Sequence, residues 1–108
     1  MYHKYAVLKV PFPFTDSNRT KHRPAVAISN QSFNNTSKFI ILAMITTAKH
    51  SQEQTDYEIL DLKSAGLSTK CVIRMKIFSV DKNLIHGMLG TLSAQDAQTL
   101  DEKIRTAL

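Results

Sequence analysis

Residues 10–29, VPFPFTDSNRTKHRPAVAIS, carry the reading that decides how this chain folds. Pro11 and Pro13 lack an amide donor, so they predict an extended, edge-like exit from whatever strand precedes them. Phe12 and Phe14 are costly to leave in water and are expected to anchor that exit to a core. Residues 16–21 are polar throughout, as a loop joining two strands should be. Residues 25–29 then form a run of small side chains, which predicts a strand packed closely against its neighbours.

Working outward, residues 5–10 alternate Ala6, Leu8 and Val10 with Tyr5, Val7 and Lys9, the period of a strand. Residues 39–45, FIILAMI, are apolar on both faces and predict a central strand, followed at once by Thr46 and Thr47. Between them, residues 30–37 are rich in Asn, Gln and Ser and read as a loop. A further loop is expected over 50–54, a strand over 57–61, and a short turn over 62–65 closed by Gly66. Residues 71–80 alternate again, with Ile73, Met75 and Ile77 on one face and Arg74 and Lys76 on the other. Residues 88–92 add a last strand. Ser93 with Asp96 three positions on is a helix-start signature, and Ala97, Leu100, Ile104 and Leu108 continue at helical spacing. The sum is one domain over 1–108, mainly β in an α+β sense. Five to six short, mostly antiparallel strands and a closing helix fit a strongly curved sheet or SH3-like small barrel.

Composition narrows the function. A chain of 108 residues is long enough for one unstapled core. Cys71 is alone, so no disulfide framework is available, and a reducing cytoplasm is the expected setting in the absence of a signal peptide. A membrane helix needs about 20 apolar residues, far beyond the run at 39–45. The formal net charge is +5, and its distribution is uneven. Residues 1–52 hold seven Lys/Arg (Lys4, Lys9, Arg19, Lys21, Arg23, Lys38, Lys49) against the single acid Asp16, while 53–108 hold seven against eight. A one-sided basic surface attracts polyanions by counterion release.

Several chemistries lack their signatures. There is no CxxC, HExxH or acidic calcium loop, and His3, His22, His50 and His86 are scattered, so no metal or other cofactor is expected. Cys71 lacks a nucleophile signature, and three glycines do not build a phosphate loop. The strongest local candidate is Arg19-Thr20-Lys21-His22-Arg23. Pro24 biases Arg23 toward extended backbone, and its guanidinium fork matches a phosphate. Such charges also suit a solvated loop, and His22 is either a proton-transfer group or a bystander. Thr46 and Thr47, after the apolar strand, could each donate to a phosphate oxygen or simply bond a turn. Arg74 and Lys76 fit a phosphate-tracking groove and equally the wet side of a strand.

Taken together, these blocks resemble the PemK/MazF family of toxin endoribonucleases from bacterial type II toxin–antitoxin pairs. The residues that carry the resemblance are the PFPFTD turn leading to Arg23-Pro24, and LAMITT at 42–47. DLKSAGL at 61–67, VIRMKIFSVD at 72–81 and LIHGMLGTL at 84–92 extend it. Where many relatives have Gly-Asp before the first strand, this chain has Tyr5-Ala6. The resemblance implies a CcdB/MazF-like barrel with a C-terminal helix, usually a homodimer, that cleaves single-stranded RNA such as mRNA at short motifs without metal. It places the catalytic arginine at Arg23 and the catalytic threonine at Thr46. Arg19, Lys21, His22, Thr47, Arg74 and Lys76 are then expected to bind RNA. A cognate antitoxin is the expected protein partner, and no membrane is. The alternatives are a non-catalytic toxin of this architecture that binds a protein such as DNA gyrase, and an SH3-like nucleic-acid-binding module.

Overall fold

The computed structural model describes residues 2–12, 21–47 and 53–108. Six strands form one antiparallel sheet: β1 (Ala6–Phe12), β2 (Lys21–Ala27), β3 (Phe39–Thr47), β4 (Tyr57–Glu58), β5 (Cys71–Asp81) and β6 (Gly87–Thr91). Their order across the sheet is β4-β5-β3-β2-β1-β6. Among the described residues there are also three α-helices, α1 (Gln31–Thr36), α2 (Leu62–Ala65) and α3 (Ala94–Ala107), and a 3-10 turn over Lys82–Leu84. The sheet is curled into a half-barrel carrying the C-terminal helix, in agreement with the fold expected from sequence.

The sheet buries both faces, as the doubly apolar β3 demands. Val7, Val26, Ala43, Ile45 and Ile73 meet Ala97 and Leu100 of α3 on one face. Ala6, Leu8, Val10, Ala25, Ala27, Ile40, Leu42 and Val80 form a second core on the other. Alternation along each strand divides these two sets.

β1 runs on through Pro11, two residues past the expected end, and Pro11 faces His22 on β2. The proline is tolerated because β6 has already left: the last β1–β6 pair is Lys9↔Gly87, so the missing donor faces a bare edge. Residues 21–23, expected at the end of a loop, are likewise strand, while residues 16–20 of the loop expected over 16–21, residues 50–52 of the loop expected over 50–54, Phe14 and the Phe12 side chain lie outside the described residues. Residues 30–37 are not a loop. Asn30 caps a helical turn by accepting from the Phe33 amide, and Asn34 is buried, bonded to Ser29 and to the Tyr2 carbonyl. Their polarity serves a cap and a buried network, which composition does not distinguish from a loop. The strand expected at 57–61 shrinks to Tyr57–Glu58: the Ile59 amide still donates to the Cys71 carbonyl, but the two amides after it are claimed by Asp96. Its carboxylate accepts from the Leu60 and Asp61 amides at 3.1 and 3.0 Å and from the Tyr57 hydroxyl. Burial alone would raise that carboxyl's pKa, but these bonds outweigh it and hold it below the usual range.

Ile73, Met75 and Ile77 do share a face, but β5 carries two extra residues there. Ala43 faces Ile77 while its neighbour Met44 faces Arg74, so Met75 and Lys76 form a bulge. Ile77 stays 38% exposed beyond it.

Tyr5 has φ +74°, the left-handed backbone that glycine favours. Its hydroxyl donates to Asp101 of α3, its amide donates to the Ala27 carbonyl at 2.8 Å, and its own carbonyl accepts from Leu92. These contacts offset the backbone strain. α2 closes the far side of the sheet against β6, where Ser64 Oγ donates to the Thr91 carbonyl at 2.6 Å. The approach requires glycine on both sides: a Cβ on Gly90 would lie 2.4 Å from the Ser64 carbonyl oxygen. Gly90→Ala should therefore cost about 1–3 kcal/mol, measurable by urea denaturation, and an unchanged midpoint would contradict the tight α2–β6 contact.

Candidate functional site

The two candidate catalytic residues come from neighbouring strands. The last paired row between β2 and β3 is Ala25↔Met44. Arg23 lies two residues beyond it on β2 and Thr46 two residues beyond it on β3, so both continue the same face at the same end of the sheet. Arg23 sits opposite Val10 in the β1–β2 ladder and is exposed, whereas Thr46 is nine-tenths buried opposite Val72. Thus Thr46 is inside a strand rather than after one. Pro24 between Arg23 and the core pins the guanidinium's base in extended backbone.

Lys21, two residues from Arg23, belongs to this face by alternation and is exposed. So does Arg74, which pairs across from Met44. Arg74 is also held by a carboxylate that sequence reasoning passed over. Its Nε and Nη2 donate to Oδ1 and Oδ2 of Asp56 at 3.2 and 2.9 Å. The Asp56 side chain is only 3% exposed and that of Arg74 23%. The guanidinium bonds hold the Asp56 carboxyl below the usual carboxylate range against the cost of burial, with help from the Glu53 amide. No local motif could have announced this pair, since 18 residues separate its members.

Adjacent residues of a strand alternate, so His22 and Thr47 leave the Arg23–Thr46 face. Thr47 faces Cys71, on the side covered by α3. His22 packs its ring edge-on against His86, with centroids 3.8 Å apart at 63°. His86 is held there by its amide, which donates to the Lys9 carbonyl at 2.8 Å. Partial removal from water, and then the positive potentials of His86 and Lys9, lower the His22 pKa. Lys76 is exposed in the β5 bulge, and Arg19 lies outside the described residues. Cys71 is buried, which raises its thiol pKa, consistent with a core residue rather than a nucleophile.

The arrangement therefore offers a guanidinium and a hydroxyl on one sheet face, each two residues past the Ala25↔Met44 row, with a lysine on the same face and a second, carboxylate-braced guanidinium on β5. Such a cluster can bind and neutralise a phosphodiester. Among the described residues no helix is long and apolar enough to cross a membrane.

Comparison with known proteins agrees on the fold. A search of curated proteins found no match in sequence. Among solved structures, an endoribonuclease in complex with its cognate antitoxin from a mycobacterial species is similar at TM-score 0.77 and 15% identity, over 98% of this chain and 91% of that one. The Mycobacterium tuberculosis toxin MazF-mt6 gives 0.76 and 17%, covering 94% of each chain. A MazE–MazF structure from Deinococcus radiodurans gives 0.75 and 16%, over 98% and 94%. At these identities the likeness speaks for the fold. The family follows from the sequence model, which matches residues 3–108: this chain belongs to the PemK-like, MazF-like toxins of type II toxin–antitoxin systems.

Proposed function

We propose that this chain is a cytoplasmic, metal-independent endoribonuclease that cleaves single-stranded RNA as the toxin of such a pair. The observation that carries the reading is the placing of Arg23 and Thr46 on one sheet face, two residues past the Ala25↔Met44 row. Family membership and the basic first half of the chain support it.

RNA supplies its own nucleophile, so the protein has three tasks. It aligns the 2′-hydroxyl with phosphorus, moves protons, and stabilises charge on the phosphoryl oxygens. The 2′-oxygen attacks phosphorus, the bond to the 5′-oxygen breaks, and the proton lost by the one is gained by the other. The products are a 2′,3′-cyclic phosphate and a 5′-hydroxyl. Arg23 neutralises the developing charge, and Thr46 donates to a non-bridging oxygen. Arg19, Lys21, Arg74 and Lys76 engage the flanking backbone. Because bases of unpaired RNA are splayed, short motifs are read by stacking and edge contacts. The protein partners are a second copy of the chain and an antitoxin with an acidic, partly disordered segment that competes with RNA for the basic groove.

Purified protein in EDTA should cut a long single-stranded RNA at one short motif and leave cyclic-phosphate ends. Arg23→Ala should lose a factor of about 10²–10³ in rate with an unchanged thermal midpoint. Retained cleavage by that variant would remove Arg23 from the chemistry, and a folded parent that does not cut would favour the protein-binding toxin, with gyrase as the first target to test.

The lowered pKa leaves His22 neutral at pH 7, so Lys and Arg carry the charge that meets RNA there. In NMR titration its midpoint should lie below 6.5, and His86→Ala should raise it toward that value by restoring water and removing a positive neighbour. A midpoint insensitive to His86→Ala would show that the ring contact does not govern His22.

A further inference from the structure

The Arg74–Asp56 pair is built more firmly than a strand-edge ion pair needs to be. Asp56 is gripped from three directions. Its carboxylate takes both the Nε and Nη2 donors of Arg74, and its Oδ2 also accepts from the Glu53 amide at 2.9 Å. Its own amide donates to the Glu53 carbonyl at 3.1 Å, closing a reciprocal turn over 53–56. The next residue, Tyr57, pairs with Ile73, the neighbour of Arg74, and its hydroxyl donates to the buried Asp96 at the start of α3. The carboxylate is thus tied to the sheet and, one residue on, to the helix, while its side chain is almost wholly withdrawn from water.

Arg74 lies across from Met44, two residues short of Thr46 and on the same sheet face. It also adjoins the bulge at Met75 and Lys76, where the strand's own ladder is interrupted and constrains the backbone least. A guanidinium has five N–H donors in one plane. Two bonds to one carboxylate fix that plane, whose orientation a long arginine side chain would otherwise sample freely.

We propose that Asp56 is a positioning residue for RNA cleavage: through its two-oxygen grip on the Arg74 fork it aims that guanidinium at a phosphate next to the Arg23–Thr46 pair. The inference rests on the endoribonuclease reading. It assigns Asp56 a part in the reaction although a carboxylate in a phosphate-binding groove would by charge alone oppose the substrate. Near-complete burial and pairing reconcile the two, because a neutralised carboxylate contributes orientation with little repulsion.

The test compares the parent with Asp56→Ala, Asp56→Asn, Arg74→Lys and the combined Asp56→Asn/Arg74→Lys, at a temperature where far-UV circular dichroism shows each to be folded. Should Asp56→Ala fail to fold, Asp56→Asn carries the test, since it keeps the size and loses the charge. With the parent cleaving RNA, Asp56→Asn should lower kcat by about 10-fold to 100-fold with a smaller change in KM. Arg74→Lys, which keeps the charge but not the fork, should be equally slow, and the combined variant no slower than either alone. Binding of a 2′-O-methyl RNA containing the cleavage motif, which lacks the nucleophile, should show the same absence of additivity. Parent-like kcat in folded Asp56→Asn would overturn the proposal, as would losses that multiply in the combined variant. Activity that merely tracks the folded fraction would overturn it as well and return Asp56 to a structural role. A folded parent that neither cuts nor binds RNA would instead bring down the endoribonuclease reading, and this assignment with it.

Discussion

β3 has to be apolar on both sides, and the rest of the molecule is arranged around meeting that requirement. It lies between β2 and β5, sends Ala43 and Ile45 into the core beneath α3, and sends Ile40 and Leu42 into the core on the opposite face. Burying both faces of one strand in a chain this short needs a curled sheet, a helix over one face and further side chains over the other. Leu100 covers the first, and Tyr2 with Ile85 packs on the second. The same strand carries Thr46 one residue before its end, so a tightly packed element also delivers a candidate catalytic hydroxyl. Rigid support of that kind is what a phosphoryl site requires, since small displacements of aligned groups are costly in rate.

The cationic groups follow a different logic. The sequence concentrates its surplus of Lys and Arg in residues 1–52, and Lys21 and Arg23 come from there. Arg74 comes from the balanced second half and joins their sheet face only because β5 pairs with β3. It arrives already neutralised by Asp56. The patch therefore mixes charges facing water, which act at a distance and weaken with salt, with a guanidinium whose value is directional. His22 shows the same dependence on surroundings: next to Arg23 in sequence, it turns to the other face and spends its ring on His86.

Much of this was legible in the residues. The strand periods at 5–10, 39–45 and 71–80, the Ser93–Asp96 helix start and Gly66 at a left-handed turn all recur in the structure within a few positions. These are local effects, in which side-chain period, capping chemistry and backbone sterics act over a few residues. The failures share a cause too. The polar stretch 30–37 looked like a loop because a buried Asn34 and an exposed asparagine have the same composition. The bulge at Met75 and Lys76 was invisible because two extra residues leave the strand's alternation intact.

What the sequence determined by itself was the mainly β class, the one-sided basic charge and, through several ordered blocks, the toxin family. Each depends on periodicity, composition or motif order, which are properties of the chain before it folds. Only the tertiary structure decided which candidates share a face. Strand pairing puts Arg23 and Thr46 two residues past the same Ala25↔Met44 row, alternation sends His22 and Thr47 away, and the bond between β5 and the turn over 53–56 joins Arg74 to Asp56. Those outcomes depend on pairing between distant segments, where a shift of one residue reverses every side chain.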